Sequence, residues 1–277
     1  MVNLNLLKTF SFHNFHKTQI ISLAKKHILL ELVSYSSYKK FNDQRIIFCT
    51  DKLGIKIFKD FFGLDYEYDL IDETKIDKND LFCVPKILTY SKFKNNFVHI
   101  DCDVLFKKRV NFNFNSDILS LHTEPALSHV YHDMIKNIYI KNNIYMPRVM
   151  ENNLYHIQIP NVAILGVSKD CNLSYYYQES LKSLKSIKNT FLPSGFCPNV
   201  GMMAAISEQY FLGCCILHNK FSCRFVTELK NMKGCFHHIH GYKHDSNNDD
   251  NMMQILYSIN KSLYLKYISF LNLKSLN

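Results

Sequence analysis

Apolar runs of strand length alternate with longer stretches of helical periodicity through the first third of the sequence. Leu4 to Phe12 clusters apolar residues as in a buried strand, and Arg45 to Thr50 and Tyr66 to Ile71 are shorter runs of the same kind. Between these runs, Gln19 to Tyr38 and Leu53 to Phe62 carry apolar residues at helical spacing. Strands that alternate with helices of this length indicate a parallel sheet with right-handed crossovers. The pattern therefore predicts an α/β fold.

The rest of the sequence continues this mixture of strands and helices. Val84 to Tyr90 has helical spacing, and Phe97 to Ile100 is a buried strand that follows a turn at Asn95 and Asn96. Later elements are predicted, in chain order, as the strand Asn161 to Val167, the helices Leu173 to Ile187 and Gly201 to Leu217, the strand Phe221 to Thr227 and the helix Met252 to Leu273. Together these elements predict a mixed central sheet flanked by helices, with a C-terminal helical tail.

One large domain is the organisation that the length favours. The chain has 277 residues, of which 47% are hydrophobic, enough to form a full core. An α/β unit often reaches about 250 residues as a single domain. We find no internal repeat and no long linker, and the polar run SNNDDN at 246–251 is the one stretch that resembles a loop. We therefore predict an α/β domain at 1–245 and a helical tail at 246–277 that packs on the same domain.

Charge and cysteine usage exclude several classes of partner and compartment. The formal net charge is +9, but the basic residues are spaced out and are not interleaved with aromatic residues, so no nucleic-acid partner is expected. The nine cysteines form no C-x-x-C pairs, which favours reduced, buried thiols. The longest apolar stretch, Phe211 to Leu217, is far shorter than the roughly 20 residues of a membrane span. With an N-terminus unlike a signal peptide, these features predict a cytoplasmic protein without a transmembrane segment.

Two carboxylates one residue apart, Asp101 and Asp103, follow a buried strand within the run FVHIDCDVLF. In open α/β sheets, ligands bind beyond the carboxyl ends of the strands. Alternate residues of a strand share a face, so both carboxylates can bind one hard divalent cation such as Mg²⁺ or Mn²⁺. The alternative is a chance D-x-D in which one aspartate caps a turn. The hydrophobic residues on both sides argue against a simple surface turn.

Further landmarks stand before and after the acidic pair in a fixed order. They are, in chain order, Lys86 and Tyr90 before the strand, Asn161 and Gly166 in NVAILG, Glu208-Gln209 on a predicted helix, and His238, Gly241 and Lys243 in HIHGYK. Together with the D-x-D motif, this order resembles the GT-A class of nucleotide-sugar glycosyltransferases. The glycogenin-like and lipopolysaccharide-galactosyltransferase-like type is the most similar, and the resemblance covers roughly residues 4 to 245.

The resemblance implies a GT-A-like (Rossmann-like) catalytic domain and a metal-dependent, hexosyltransferase-like enzyme. Such an enzyme moves a sugar from a nucleotide sugar, here a UDP-sugar, to a glycan, lipid or protein acceptor that the sequence does not identify. The resemblance assigns Asp103 and His238 to the metal, with His240 as the alternative to His238. It places Asp101 on the metal or on the ribose. Mn²⁺ is the first choice over Mg²⁺, because Mn²⁺ accepts a histidine ligand more readily.

Donor-binding roles follow from the same resemblance. They fall on Lys86, Asp101, Asn161, Gln209, Gly241 and Lys243, with Thr50 and Asp51 as a further prediction for the nucleoside pocket. Lys243 is expected to face the leaving diphosphate, although it follows Gly241 by two residues where the family has three. Glu208 is expected to act as general base in an inverting enzyme, or to accept sugar hydroxyls in a retaining one. The alternative for Glu208 is a solvated residue on a helix surface.

Three other interpretations remain open at this level. The cluster from Cys235 to His244 offers soft ligands for a local zinc site, but it has no second C-x-x-C or H-x-x-x-H partner. A sugar-phosphate nucleotidyltransferase would use the same metal logic, yet the segment FSFHNFHKTQ after the first strand has no glycine. A non-catalytic binding protein would use its basic face and an inert D-x-D. Lone histidines such as His99 are interpreted as core or surface residues.

Overall fold

The computed structural model describes residues 4–12, 20–77, 80–112, 114–124, 128–152, 157–191, 200–239 and 248–272. Its strands are β1 (Asn5–Phe10), β2 (Ile46–Thr50), β3 (Glu67–Leu70), β4 (Phe97–Ile100), β5 (Val104–Phe106), β6 (Ile118–Ser120), β7 (Ile164–Val167), β8 (Cys223–Phe225) and β9 (Phe236–His238). Its α-helices are α1 (Ile20–Phe41), α2 (Lys52–Gly54), α3 (Val84–Phe93), α4 (Ser128–Met134), α5 (Arg148–Asn152), α6 (Ser174–Phe191), α7 (Val200–Ala205), α8 (Phe211–Asn219), α9 (Asn248–Ile259) and α10 (Lys261–Leu271).

The main sheet has seven strands in the order β3-β2-β1-β4-β7-β6-β8. Strands β1 to β4 pair in parallel, and β7 is antiparallel to both of its neighbours, β4 and β6. Strand β8 then pairs in parallel with β6, and β5 and β9 form a separate antiparallel ribbon. The predicted α/β fold with a mixed central sheet flanked by helices is confirmed.

The chain reverses its direction of travel across the sheet at β1. It passes from β1 outward to β2 and β3, and then returns to place β4 on the other side of β1. Ligands of open α/β sheets bind outside the carboxyl ends of the strands at such a switch point. The topology therefore predicts a ligand site among the residues that follow β1, β2 and β4.

Alternation along β1 divides the core into two layers. Leu6 and Phe10 pack on one face with residues of α1, α9 and α10, whereas Leu7 packs on the other face with residues of α3, α6 and α8. Each fully buried side chain of this kind stabilises the fold by about 1.5–3 kcal/mol relative to an exposed one. Helices of the described part of the chain thus cover both faces of the sheet.

Two predicted helices contain π-helical segments. The helix predicted at Leu53 to Phe62 begins at Lys52, becomes π-helical over Ile55–Phe61, and ends before Gly63, whose φ of +71° suits glycine. The helix predicted at Gly201 to Leu217 consists of α7, a π-helical segment at Ile206–Tyr210 and α8. Both predicted spans are helical, but the periodicity did not reveal these local changes of winding.

Other boundaries differ more from the sequence prediction. The strand predicted from Asn161 begins only at Ile164, because residues 161–163 form a turn. The tail helix begins at Asn248 and is broken at Asn260, whose side chain accepts a hydrogen bond from the Leu263 amide and caps α10. Strands β5, β6 and β9 and helices α4 and α5 were not predicted. A three-residue strand is too short for its alternation to be recognised.

The tail packs on the first helix of the α/β domain. Lys26 lies 3.7 Å from Asp249 of α9, and the Tyr267 hydroxyl of α10 donates to the Lys25 carbonyl at 3.1 Å. The predicted division at residue 245 lies outside the described residues and stays a prediction. The described helices include none that is long and apolar enough to span a membrane. The cysteines of the described residues are free thiols.

Candidate functional site

The carboxyl ends of β1 and β2 are joined by Asp51. Its Oδ2 accepts hydrogen bonds from the Ser11 hydroxyl at 2.8 Å and from the Phe12 amide at 2.5 Å. Its Oδ1 accepts a hydrogen bond from the Gly54 amide at 2.8 Å and so caps the N-terminus of α2. Asp51 therefore fixes the segment after β1 at the switch point. Its predicted role in nucleoside binding stays a prediction.

Thr50 lies directly before this cap and is fully buried. A Cβ atom at Gly54 would stand 1.8 Å from the Thr50 Oγ1, so α2 can approach β2 this closely only because position 54 is glycine. The Thr50 side chain thus packs against α2. Its predicted contact with a nucleoside, like that of Asp51, stays a prediction.

Three of the predicted site residues meet in one ion-pair cluster beyond β4. The Lys86 Nζ lies 2.9 Å from the Asp101 Oδ1 and 2.8 Å from the Glu208 Oε1. Lys86 comes from the first turn of α3, Asp101 directly follows β4, and Glu208 comes from the π-helical segment before α8. The fold therefore brings Glu208, which follows Asp101 by 107 residues in the chain (101 to 208), into one cluster with Lys86 and Asp101. We call these three residues the Lys86 cluster.

Burial gives the Lys86 cluster unusual electrostatics. The side chains of Lys86, Asp101 and Glu208 are 12%, 24% and 4% exposed. Burial by itself lowers the pKa of Lys86, but the two carboxylates outweigh it and hold that pKa well above its usual value. Burial also raises the pKa of Glu208, and Asp101 adds to this rise while Lys86 opposes it. One ammonium group cannot neutralise two carboxylates, so the more deeply buried Glu208 keeps a raised pKa.

The π-helical segment that carries Glu208 is held by α6. The Tyr176 hydroxyl donates to the Glu208 carbonyl at 2.9 Å, and the Ser180 hydroxyl donates to the Ser207 carbonyl at 3.0 Å. Isolated π-helical turns occur frequently at functional sites. Within the described residues, the buried Oε1 of the neighbouring Gln209 has no hydrogen-bond partner. The predicted donor-binding role of Gln209 stays a prediction.

His99 is a core histidine, as the sequence analysis interpreted it, and it also lies beside the Lys86 cluster. It is fully buried in β4, as a core histidine should be, but its Nδ1 lies 3.7 Å from the Asp101 Oδ1. Its Nε2 lies 3.1 Å from the Thr9 Oγ1, and its Nδ1 lies 3.4 Å from the Tyr90 hydroxyl. Burial, assisted by Lys86, holds the pKa of His99 well below its usual value. The H-x-D spacing could have predicted the contact between His99 and Asp101, because residues i and i+2 of a strand share a face.

The second acidic residue of the D-x-D motif lies beside the predicted histidine ligand. The His238 Nε2 is 3.6 Å from the Asp103 Oδ1, and both side chains are almost buried. The β5–β9 ribbon brings them together, since Val104 is the register partner of His238. A carboxylate oxygen beside an imidazole nitrogen is a donor pair that suits Mn²⁺.

Within the described residues, no third His, Cys, Asp or Glu side chain completes this pair. Asp101, which the resemblance places on the metal or on the ribose, forms an ion pair with Lys86. No group of three His, Cys, Asp or Glu side chains in the described part of the chain could hold a metal ion. His240, Gly241 and Lys243 lie outside the described residues, so their predicted roles stay predictions.

The histidine cluster considered as a zinc site is only partly described. Cys235 donates from its Sγ to the Arg109 carbonyl at 3.9 Å and to the Asn231 carbonyl at 3.8 Å. His237 and His238 are adjacent in β9, so their side chains point to opposite faces of the ribbon. The described members of the cluster therefore do not converge on one point.

Asn161 shapes the edge of the site next to β7. Its Oδ1 accepts a hydrogen bond from the Ala163 amide at 3.0 Å, and its Nδ2 donates to the Glu124 Oε1 at 2.5 Å. Glu124 also accepts a hydrogen bond from the Tyr131 hydroxyl at 3.3 Å. No motif in the sequence indicated a role for Glu124. Its contact with Asn161 depends on the pairing of β6 with β7. The predicted donor contact of Asn161 stays a prediction.

The fold and this geometry define an α/β protein with a largely buried cluster of acidic and basic side chains beyond the carboxyl end of β4. A profile described as "Family of unknown function (DUF6734)" matches residues 14–270. The chain belongs to this family. Curated proteins give no match.

Among solved structures, the chain is similar to the crystal structure of mouse xyloside xylosyltransferase 1 in its apo form. The identity is 11%, the match covers 81% of this chain and 85% of the mouse chain, and the TM-score is 0.41. A TM-score of this size does not show a common fold. The fold is therefore defined by the sheet topology of the chain itself.

Proposed function

We propose that this protein is a metal-dependent glycosyltransferase that uses a nucleotide sugar, with a UDP-sugar as first choice. The observation that carries the proposal is the Lys86 cluster. Its three members were selected from the sequence as separate landmarks, and a carboxylate oxygen of Asp101 and one of Glu208 each lie within 3 Å of the Lys86 Nζ. This convergence lies beyond the carboxyl end of β4, beside the switch point where α/β sheets bind ligands.

Neutralisation of a leaving diphosphate is the chemistry that this site would supply. Asp103 and His238 would hold a divalent ion, and that ion would stabilise negative charge developing on the diphosphate. Lys86 would hold Asp101 in a fixed orientation toward the donor. Lys86 would keep its charge there, because the two carboxylates hold its pKa well above its usual value.

Glu208 would then face the transferred sugar. Its raised pKa makes it a better proton acceptor than an exposed glutamate, which suits a general base in an inverting reaction. In a retaining reaction, the same carboxylate would accept hydrogen bonds from sugar hydroxyls. Glu208→Gln keeps the shape and removes the base, so an inverting enzyme would lose transfer and retain donor affinity.

The first experiment tests metal-dependent donor binding. A thermal-shift panel of nucleotide sugars with and without Mn²⁺ is expected to reveal the donor, because a ligand at 100 times its Kd stabilises by about 2.7 kcal/mol. Calorimetry of Asp103→Asn is then expected to show no Mn²⁺-dependent binding. Asp43→Asn is the matched control, since Asp43 is exposed and pairs only at the surface with Arg109. Absence of binding by the unmodified protein to every nucleotide sugar tested would contradict the proposal.

The second experiment concerns the histidine ligand. We propose His238 over His240, because only His238 keeps the H-x-x-G interval of the resembled family. The Mn²⁺ affinity in the presence of UDP is expected to fall more in His238→Ala than in His240→Ala. His237→Ala is a control from the opposite face of the same strand. A larger loss in His240→Ala would reverse the assignment.

A further inference from the structure

The ribbon strand that follows Asp103 has one edge paired with β9 and one edge turned toward α1. Along the paired edge, the Lys107 amide donates to the Cys235 carbonyl, and the Ile239 amide donates to the Asp103 carbonyl. Odd-numbered residues of this segment therefore direct their backbone groups at β9. In a strand, the backbone groups of the intervening residues, Val104 and Phe106, point the opposite way.

Two serines of α1 satisfy that second edge. The Ser34 hydroxyl donates to the Val104 carbonyl at 2.6 Å, and the Ser37 hydroxyl accepts from the Phe106 amide at 3.1 Å. These two positions are three apart on the helix and therefore lie on one face. A buried backbone group without a hydrogen-bond partner destabilises the fold, so such groups are nearly always paired. The two hydroxyls thus occupy the place that a neighbouring strand would take.

A buried ion pair orients the Ser34 hydroxyl. The Lys8 Nζ of β1 donates to the Ser34 Oγ at 2.7 Å and to the Glu31 Oε2 at 3.0 Å, and both charged side chains are fully buried. The Tyr66 hydroxyl also donates to Glu31. Because Lys8 occupies the acceptor side of the Ser34 hydroxyl, that hydroxyl is directed as a donor toward Val104. Lys8, Glu31, Ser34 and Ser37 therefore form a polar platform under β5.

We infer that this polar platform positions the Asp103–His238 pair. Asp103 directly precedes β5, and His238 is the register partner of Val104 in β9. A shift of the β5 backbone away from α1 would move both residues of the pair. The four platform residues are thus positioning residues that act through the backbone of β5, and none of them needs to touch a ligand. The inference rests on the proposed function only for its consequence in metal binding.

Helix α1 offers a matched control for the test. Ser36 is buried on the same helix, but its hydroxyl has no hydrogen-bond partner among the described residues. Ser37→Ala and Ser36→Ala remove the same atom from neighbouring buried positions, and only Ser37→Ala removes a contact with β5. Ser37→Thr restores the hydroxyl and serves as the rescue variant.

Amide hydrogen exchange of the whole protein tests the inference without any ligand. We expect Ser37→Ala to speed exchange of the Phe106 amide at least tenfold relative to Ser36→Ala, and Ser37→Thr to restore most of the protection. The His238 imidazole signals in NMR spectra should shift in Ser37→Ala and remain in place in Ser36→Ala. Equal exchange and unshifted signals in both alanine variants would overturn the inference.

Metal binding provides the second readout. In the presence of UDP, Ser37→Ala is expected to bind Mn²⁺ about tenfold more weakly than Ser36→Ala, at equal melting temperature. If the unmodified protein binds neither Mn²⁺ nor UDP, the proposed function is wrong, and the exchange measurement still decides the inference. If the unmodified protein binds both and Ser37→Ala binds Mn²⁺ as tightly as Ser36→Ala, the platform does not position the metal ligands.

Discussion

Two buried lysines lie on opposite faces of the sheet, and their surroundings differ in a way that separates structure from chemistry. Lys8 is fully enclosed and meets one equally enclosed carboxylate, Glu31. Lys86 is 12% exposed and meets two carboxylates, of which Asp101 is 24% exposed. The first pair is balanced in charge and closed to solvent. The second group has a surplus of one negative charge and an open side, which are the properties of a site that can receive a cation or exchange a proton.

The largest expected effect is on the free energy of unfolding and concerns the buried Lys8–Glu31 ion pair. Lys8→Met should lower the free energy of unfolding by about 3–5 kcal/mol, because it leaves the Glu31 carboxylate buried without its counter-charge. Lys86→Met should lower it less, because Asp101 remains partly solvated and one carboxylate can take up a proton. Urea unfolding of both variants makes the comparison. A greater loss in Lys86→Met would invert the distinction between the two lysines.

A double variant checks the cause of that loss. Replacement of both charges in Lys8→Met/Glu31→Met should recover at least half of the stability lost in Lys8→Met, since no buried charge then remains unpaired. A double variant no more stable than Lys8→Met alone would show that packing around the lysine stem, and not the ion pair, is responsible.

The next largest effect is on catalytic activity and concerns the Lys86 cluster. Once a donor has been identified, Lys86→Met should lower kcat/KM by roughly 10²-fold, which corresponds to about 2.7 kcal/mol of lost transition-state stabilisation. Lys92→Met is a suitable control, because Lys92 belongs to the same helix and pairs with Asp69 in a more exposed setting. Equal kinetics in the two variants would remove Lys86 from the site.

The third effect is a pH dependence of stability that arises from Glu208. Burial raises the pKa of Glu208 above its usual value of 4.5, so in the interval above pH 4.5 the folded state binds more protons than the unfolded state. Stability contributed by the protonated group is therefore present at low pH and is lost as the pH rises through the folded pKa. Glu208→Gln should remove this loss. The unfolding free energy of variant and parent, measured from pH 4 upward, should diverge in favour of the variant; parallel curves would contradict a raised pKa.

The smallest expected effect concerns a surface ion pair, which serves as a reference for the buried pairs. Lys39 and Asp65 form a surface pair at 3.0 Å, in which the Asp65 side chain is 85% exposed. Surface pairs of this kind contribute only about 0–1 kcal/mol. Lys39→Met should therefore change the urea midpoint very little. A loss comparable with that of Lys8→Met would mean that removal of any lysine, buried or exposed, destabilises this protein.

The sequence alone determined the class of fold and the order of the site landmarks. Periodicity of two or of 3.6 residues depends only on local geometry, so the runs that became β1, α1, β2 and β4 could be recognised without a structure. The D-x-D motif was recognisable for the same reason, since Asp101 follows a hydrophobic run that had to be a buried strand. Lys86 and Glu208 were selected as landmarks, but nothing in the sequence paired them.

Only the tertiary structure decided which groups meet and which are closed to solvent. Lys8 has the same local sequence appearance as any strand lysine, and its burial depends on α1 lying against β1. The contact of His99 with Asp101, the Asn161–Glu124 bond and the serines that satisfy the edge of β5 join residues from different elements. The physical reason is that burial and ion pairing are properties of three-dimensional neighbours, whereas propensity and periodicity are properties of the local chain.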